Sequence, residues 1–399
     1  MVNYRGYSFK NEKKLICLLL MKLIKSKLLY DGIDEKKDYF IGFEDDEIKY
    51  VGSSKPQEDF EIIAEDVVVT PGFIDSHSHI GMVRSGEPDR EEEVNEHMNT
   101  VYPLVNALHS VYMDDPAFKE SVESGILYST VLPGSGNIIA GNAVLIRNFV
   151  QDIDKAYLTN VGIKAALGYN PRSTVEWKGD RPSTRMGAVA MLRENFNKAR
   201  KMQKLIQREK KVIDEVEPLT ELFMDILSNK LKMMIHVHKE DDIMVLLQII
   251  KEFGVKVIAN HCVDVHREEV FTALKASSVP IIYGPMDSFP YKVELKHESW
   301  RNAEKLLNSG AKFSIMSDHP VILQRNLFYS LRHLLRFGLS KAQAISKISK
   351  EAAEIIGAQD IGQIRASFKA SLVAWNGDPF LLSNYPILVI AEGRTVYRE

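Results

Sequence analysis

The stretch from Val67 through Thr70-Pro71-Gly72-Phe73-Ile74-Asp75-Ser76-His77-Ser78-His79 to Gly81 constrains the fold of this chain more than any other. An apolar run enters a Pro-Gly turn, and a second short run, Phe73-Ile74, ends in two histidines two positions apart. Residues i and i+2 of a strand share a face. His77 and His79 therefore present two imidazoles to one point, as a divalent metal requires. Taken alone, His-Ser-His is more often a polar strand end than a ligand pair. The metal reading needs further ligands at later strand ends.

Those ligands follow. Short apolar runs recur at 126–131, 143–146, 162–167, 233–238, 255–261, 279–283 and 313–318, and with the run before His77 they make eight. Helical patterns fall between many of them, notably Met186 to Lys211 and Pro218 to Leu231. Eight strands with interleaved helices over about 290 residues have the rhythm of a (β/α)8 barrel. The segment Pro133 to Gly141, between the second and third runs, is loop-like and leaves no room for a full helix. Polar residues mark the later runs: Lys164 in the fourth, His236 and His238 in the fifth, His261 in the sixth and Asp318 in the eighth. In a barrel the C-terminal strand ends share one mouth, so these distant residues converge. Five histidines at three strand ends and a carboxylate at a fourth suit zinc or a similar divalent ion.

The two chain ends read differently. Leu23-Ile24, 39–43 and 48–51 form short strands punctuated by Asp31-Gly32, Asp45-Asp46 and Gly52-Ser53, and 371–375, 387–390 and 395–397 resemble them. Neither end alone has enough strands to bury a core. The expected fold is α/β, a (β/α)8 TIM-like barrel over residues 71–364 inserted into a small β-sandwich domain formed by residues 21–70 and 365–399. Residues 1–20 are an N-terminal extension. There Lys10, Lys13 and Lys14 precede an apolar run, Leu15 to Leu20, in the manner of a short signal peptide. No small-residue cleavage site follows, and Lys22, Lys25 and Lys27 interrupt the run, which is too short to span a bilayer. The residues before Met21 read as a poorly ordered extension or as the product of a misplaced start codon.

Composition narrows the partners. With 51 basic and 54 acidic residues and a net charge of −3, the chain makes no case for nucleic acid or an anionic membrane. Two cysteines, Cys17 and Cys262, are too few for a disulfide framework and suit a reducing, cytoplasmic compartment. Cys262 faces away from its neighbour His261 in a strand and reads as packing. His97, His109, His266, His297 and His333 lack a partner pattern. A small-molecule substrate is the expected partner, and the reading allows a homo-oligomer.

The run from Val69 to His79 closely resembles the opening motif of the amidohydrolase superfamily. Asn260-His261 and Ser317-Asp318-His319-Pro320 resemble its later ligand segments, and Leu372 to Phe380 its closing strand. The loop Pro133 to Gly141, with Leu167 to Arg172, is most similar to the imidazolonepropionase-related branch. The resemblance implies hydrolysis of a C–N bond in a cyclic amide, amide or dipeptide-like substrate, with one or two divalent ions, zinc foremost. His77 and His79 would hold one ion. His236 and His261 would hold a second or steer the substrate. Lys164, as a carbamate, would bridge the two. Asp318 would touch the metal and take the proton of the attacking water. His238 would contact the substrate, and His319 would line the pocket. Arg172, Arg185 and Lys239 on the rim would meet an anionic substrate group. Two other readings stand beside this one. A deaminase of the same superfamily would carry a Glu where this chain has Lys239. A catalytically silent barrel would keep the fold for binding.

Overall fold

The computed structural model describes residues 20–173 and 179–399, so the expected N-terminal extension lies, apart from Leu20, outside the described residues. The strands, in chain order, are β1 (Met21–Tyr30), β2 (Glu35–Glu44), β3 (Glu47–Gly52), β4 (Phe60–Pro71), β5 (Phe73–Ser78), β6 (Ile126–Val131), β7 (Ile139–Arg147), β8 (Tyr157–Ala166), β9 (Met233–Val237), β10 (Val257–His261), β11 (Ile281–Tyr283), β12 (Phe313–Ile315), β13 (Leu372–Trp375), β14 (Pro386–Ala391) and β15 (Arg394–Arg398).

Strands β5 to β12 form one eight-stranded sheet in chain order. Every residue of β5, β6, β9, β10, β11 and β12 is buried, as strands covered on both faces must be. The helix Glu240–Phe253 shows how the sequence builds each cover. Glu240, Asp241 and Asp242 meet its positive end, and Ile243, Leu246, Ile249 and Phe253 recur on its buried face. Gly254, left-handed at φ 70°, ends it.

One strand departs from the expected parallel barrel. β7 runs antiparallel to both β6 and β8, whereas the remaining neighbours in the sheet are parallel. The reason lies in the loop after β6. A parallel partner needs a crossover of a dozen or more residues, and the residues between Val131 and Ile139 are too few. The chain turns back on itself instead.

The barrel is nearly closed. No ladder joins β5 to β12, but the Asp318 N–H donates to the His77 carbonyl (3.2 Å) and the His79 N–H to the His319 carbonyl (3.0 Å). Buried Asp75 reinforces this seam. Its carboxylate accepts from the Ser317 N–H (3.2 Å), the Ser317 hydroxyl and Gln324 Nε2 (2.9 Å). The seam sets the end of the first barrel strand against the end of the last.

The two chain ends share a second sheet of seven strands, ordered β15-β14-β13-β4-β1-β2-β3. Ile24 and Ile390 lie in one buried cluster with Ile41, Ile48, Val69 and Leu372. The expectation of a two-sheet sandwich is corrected here to one continuous sheet. It bends round far enough for the Ile48 N–H to donate to the Phe368 carbonyl (2.8 Å) and the Ser367 N–H to the Ile48 carbonyl (2.9 Å).

Candidate metal centre

Two groups of side chains meet at the barrel mouth, and among the described residues these are the clusters with metal-binding geometry. The first is His77, His79 and Asp318. The Nε2 atoms of His77 and His79 stand 3.2 and 3.3 Å from the same carboxylate oxygen, Asp318 Oδ1. His79 Nδ1 faces the Leu132 carbonyl at 2.8 Å. A carbonyl only accepts, so Nδ1 carries the proton and Nε2 presents its electron pair. Asp318 reaches the mouth because the backbone turns left-handed there, at φ 52°. His261 and Cys262 do the same at φ 76° and 59°. Three non-glycine residues in that region at ligand-bearing strand ends indicate backbone strain held at a functional site.

The second group is His236, His238 and His261. Their ring centroids lie 4.3 to 4.6 Å apart, and His77 and His261 link the two groups at 4.8 Å. His261 Nδ1 faces the Gly284 carbonyl (3.1 Å), which leaves Nε2 as its acceptor atom. That Nε2, both nitrogens of His238 and Nδ1 of His236 are buried without a hydrogen-bond partner. A buried unpaired polar atom costs roughly 1–3 kcal/mol. Four such atoms in one cluster fit a site built to hold an ion. Lys164, on β8, is fully buried with Nζ 3.4 Å from His77 Nε2.

The charge states agree with metal binding. Burial pulls the His77 imidazole down to about 3 and that of His236 to about 4. Burial also holds His238 and His261 well below the usual histidine range. Neutral imidazole is the form that ligates. Burial brings the Lys164 amine down to about 7, against the pull of Asp318. At Asp318 burial favours the neutral acid, but His261, His77 and His79 outweigh it and hold the carboxyl well below the usual range.

The rim residues have local partners. Arg185 Nε is engaged by Asp242 Oδ1 (2.7 Å), and Arg172 Nε by the Gly168 carbonyl (2.7 Å). Lys239 precedes the first turn of the helix Glu240–Phe253, where its charge acts on Asp242 and Asp264. Buried His319 accepts the Gln324 N–H at Nδ1 (3.1 Å). His238, expected as a substrate contact, stands as close to His261 as to His236. Cys262 is a buried free thiol, as packing requires. Sequence reasoning missed Glu294 and Lys292. Glu294 is 1 % exposed, with Oε1 3.1 Å from His236 Nε2, 3.8 Å from His238 Nε2 and 2.8 Å from Lys292 Nζ. Both lie in the loop after β11, where neither spacing nor periodicity sets Lys-Val-Glu apart from a solvated turn.

Known proteins can now be set beside this geometry. An "Amidohydrolase tasK" from Hapsidospora irregularis is 24% identical over 381 residues, covering 88% of this chain and 38% of that protein. The chain thus spans under two fifths of that relative's length. The crystal structure of an amidohydrolase from Thermotoga maritima MSB8 matches with a TM-score of 0.88 at 28% identity, covering 95% of this chain and all of that one. A prolidase complexed with N-methylphosphonate-L-proline matches at TM-score 0.61 and 15% identity, covering 95% of this chain and 100% of that one, a likeness of fold. These relatives come from several branches and do not single out the imidazolonepropionase-related one. A profile of the amidohydrolase family matches residues 68–397, which takes in both histidine groups, and the chain belongs to that family.

Proposed function

We propose that this protein is a metal-dependent hydrolase of a C–N bond in a cyclic amide, amide or dipeptide-like substrate. The observation that carries this is the meeting of two ligand groups with unpaired buried nitrogens at one barrel mouth. His77, His79 and Asp318 would hold one divalent ion, and His236, His238 and His261 a second. Nitrogen-rich donors favour zinc. An ion bound there supplies a Lewis acid and a water of near-neutral pKa.

The protein's own groups do the rest. Asp318, held ionised, accepts the proton of the attacking water and returns it to the leaving nitrogen. Fully buried Lys164 beside His77 suits a carbamate, because a neutral amine is the form that adds carbon dioxide. Addition would form an N–C bond, release the amine proton and leave an anionic group able to help hold a divalent ion. His261, whose ring lies 4.8 Å from that of His77, stands between the two groups. Lys239 and His319 are the groups proposed for an anionic substrate end, with Arg172 and Arg185 each engaged through Nε, by the Gly168 carbonyl and by Asp242. The imidazolonepropionase-like branch falls within this range, on the likeness of the loops Pro133 to Gly141 and Leu167 to Arg172. Deamination ranks second. The position expected to carry its Glu is Lys239, and the next residue, Glu240, is engaged by Arg267 and by the His266 N–H (3.1 Å). No helix among the described residues is long and apolar enough to cross a membrane, and with so few cysteines the setting we propose is cytoplasmic.

The test is metal analysis of the purified protein with a panel of lactams, amides, dipeptides and aminated rings. The reading expects bound divalent metal and turnover on an amide or lactam. Metal-loaded protein inert to the whole panel would point to a silent binding barrel, and ammonia release from ring amines alone to a deaminase.

A further inference from the structure

His266 and His297 have no partner pattern in the sequence, yet the fold brings them together. His266 lies between β10 and the helix Glu268–Ala276, and His297 between the turn Val293–Leu295 and the helix Asn302–Ser309. Their ring centroids stand 4.3 Å apart at an interplanar angle of 38°. The rings of His236, His238 and His261 show the same spacing, 4.3 to 4.6 Å. One residue, Asp264, backs both rings. His266 Nδ1 faces the Asp264 carbonyl at 3.0 Å, with Glu240 Oε1 at 3.4 Å. His297 Nδ1 faces Asp264 Oδ2 at 3.5 Å, and the His297 N–H donates to Asp264 Oδ1. The Asp264 side chain is 1 % exposed, and its Oδ2 is buried without a hydrogen-bond partner. The two imidazoles, by contrast, are 41 % and 44 % exposed.

We propose that His266 and His297 form a further metal site on the rim, in which their Nε2 atoms hold one divalent transition-metal ion. A carbonyl only accepts, so His266 Nδ1 carries the proton and Nε2 the electron pair. At His297 the carboxylate oxygen facing Nδ1 makes the same division. A metal-ligating histidine almost always turns its other ring nitrogen to a carbonyl, a carboxylate or water. Both rings do so here, and both oxygens come from Asp264. With the rings side by side and each Nδ1 turned to Asp264, the two Nε2 atoms leave on the side away from it. A plain ion pair between His297 and Asp264 gives no reason for a second imidazole to stack on the first, since two protonated rings would repel. Imidazole donors suit zinc, copper or nickel rather than magnesium or calcium. This site has two protein donors where each mouth group has three, so it holds its ion more weakly. The ion would tie the loop after β10, which follows His261, to the loop after β11, which carries Glu294. The site stands apart from the hydrolase reading and does not rest on it.

Zinc binding to the full-length protein tests this. Equilibrium dialysis over a range of free zinc, followed by metal analysis, is run on the parent, His266→Gln, His297→Gln and the double variant. The expected result is one weakly held ion per chain in the parent that is missing from each single variant. The double variant should lose no more than either single one, because one imidazole alone does not keep the ion. Zinc held more tightly, at the barrel mouth, should be the same in all four proteins. Isotherms that superimpose, or a weak ion lost in only one of the single variants, would overturn the inference. Should a variant fail to fold, acylation of the parent by diethyl pyrocarbonate, read by peptide mass, still decides. Zinc should slow the modification of His266 and His297 together, and protection of one alone or of neither would overturn the inference. A parent that binds only the weak ion would remove the hydrolase reading and leave this site standing.

Discussion

The two candidate ligand groups meet at one barrel mouth but are held in place by different means. His77 and His79 follow from strand alternation, and Asp318 arrives across the barrel seam, braced by Asp75 on one side and backbone hydrogen bonds on the other. His236 and His238 also alternate on one strand, and His236 Nε2 faces Glu294 Oε1 (3.1 Å), itself paired with Lys292, from a loop two strands away. The first group is set by sheet geometry. The second is set by a polar network that only tertiary structure assembles. Damage to the first should therefore act through the seam, and damage to the second through the loops.

The largest effect should come from removing the ions altogether. Exhaustive chelation takes turnover to background, and zinc added back restores it. A chelated protein that keeps its rate would show that neither group needs a metal. Lys164→Ala comes next and asks whether the two groups are joined. If Lys164 carries the proposed carbamate, metal analysis should show about one ion fewer per chain and turnover should fall by at least the roughly 100-fold range of lost acid–base chemistry. Unchanged stoichiometry would mean that the groups fill independently. Gly168→Ala strains the second group alone. The left-handed backbone costs on the order of 1–3 kcal/mol, and the new methyl presses on Glu294. Thermal stability should drop by that amount, and the ion in the His236 group should weaken while the first ion stays put. Equal weakening of both ions would erase the distinction between the groups. Arg185→Ala should matter least. The ion pair with Asp242 is partly exposed and worth at most about 1 kcal/mol. Its loss should leave metal content and turnover on a carboxylate-bearing substrate nearly unchanged, and a large rise in KM would restore Arg185 to the substrate clamp.

The same contrast explains what could be read in the sequence. The candidate ligands His77, His79 and His236 were legible because a period of two fixes the face each side chain takes, and His261 and Asp318 because each closes an apolar run that announces a strand. Both chain ends entered one sheet, as their shortage of strands required. The reversed β7 was half legible. The short loop after Val131 excluded a helix, but the run at 143–146 has no direction of its own until it is paired. The single bent sheet was not legible, since strands facing one core look alike whether they come from one sheet or two. Glu294 and Lys292 left no trace, because a charged pair in a loop becomes a buried network only when three loops close over it. Arg185 and Arg172 show the converse: their rim positions could be read from the sequence, but not the local acceptors that engage the Nε of each in the folded chain.

Asp318 joins the metal geometry to the chemistry, so Asp318→Asn is the most direct test. The amide can still offer an oxygen to an ion but cannot take a proton from water. The variant should melt close to the parent and retain metal at the His236 group, and its turnover should fall by at least about 100-fold, the usual cost of losing general acid–base catalysis. Melting, metal content and rate are read on one sample. A variant that melts early yet turns over at nearly the parent rate would make Asp318 a structural brace of the barrel seam and contradict the account.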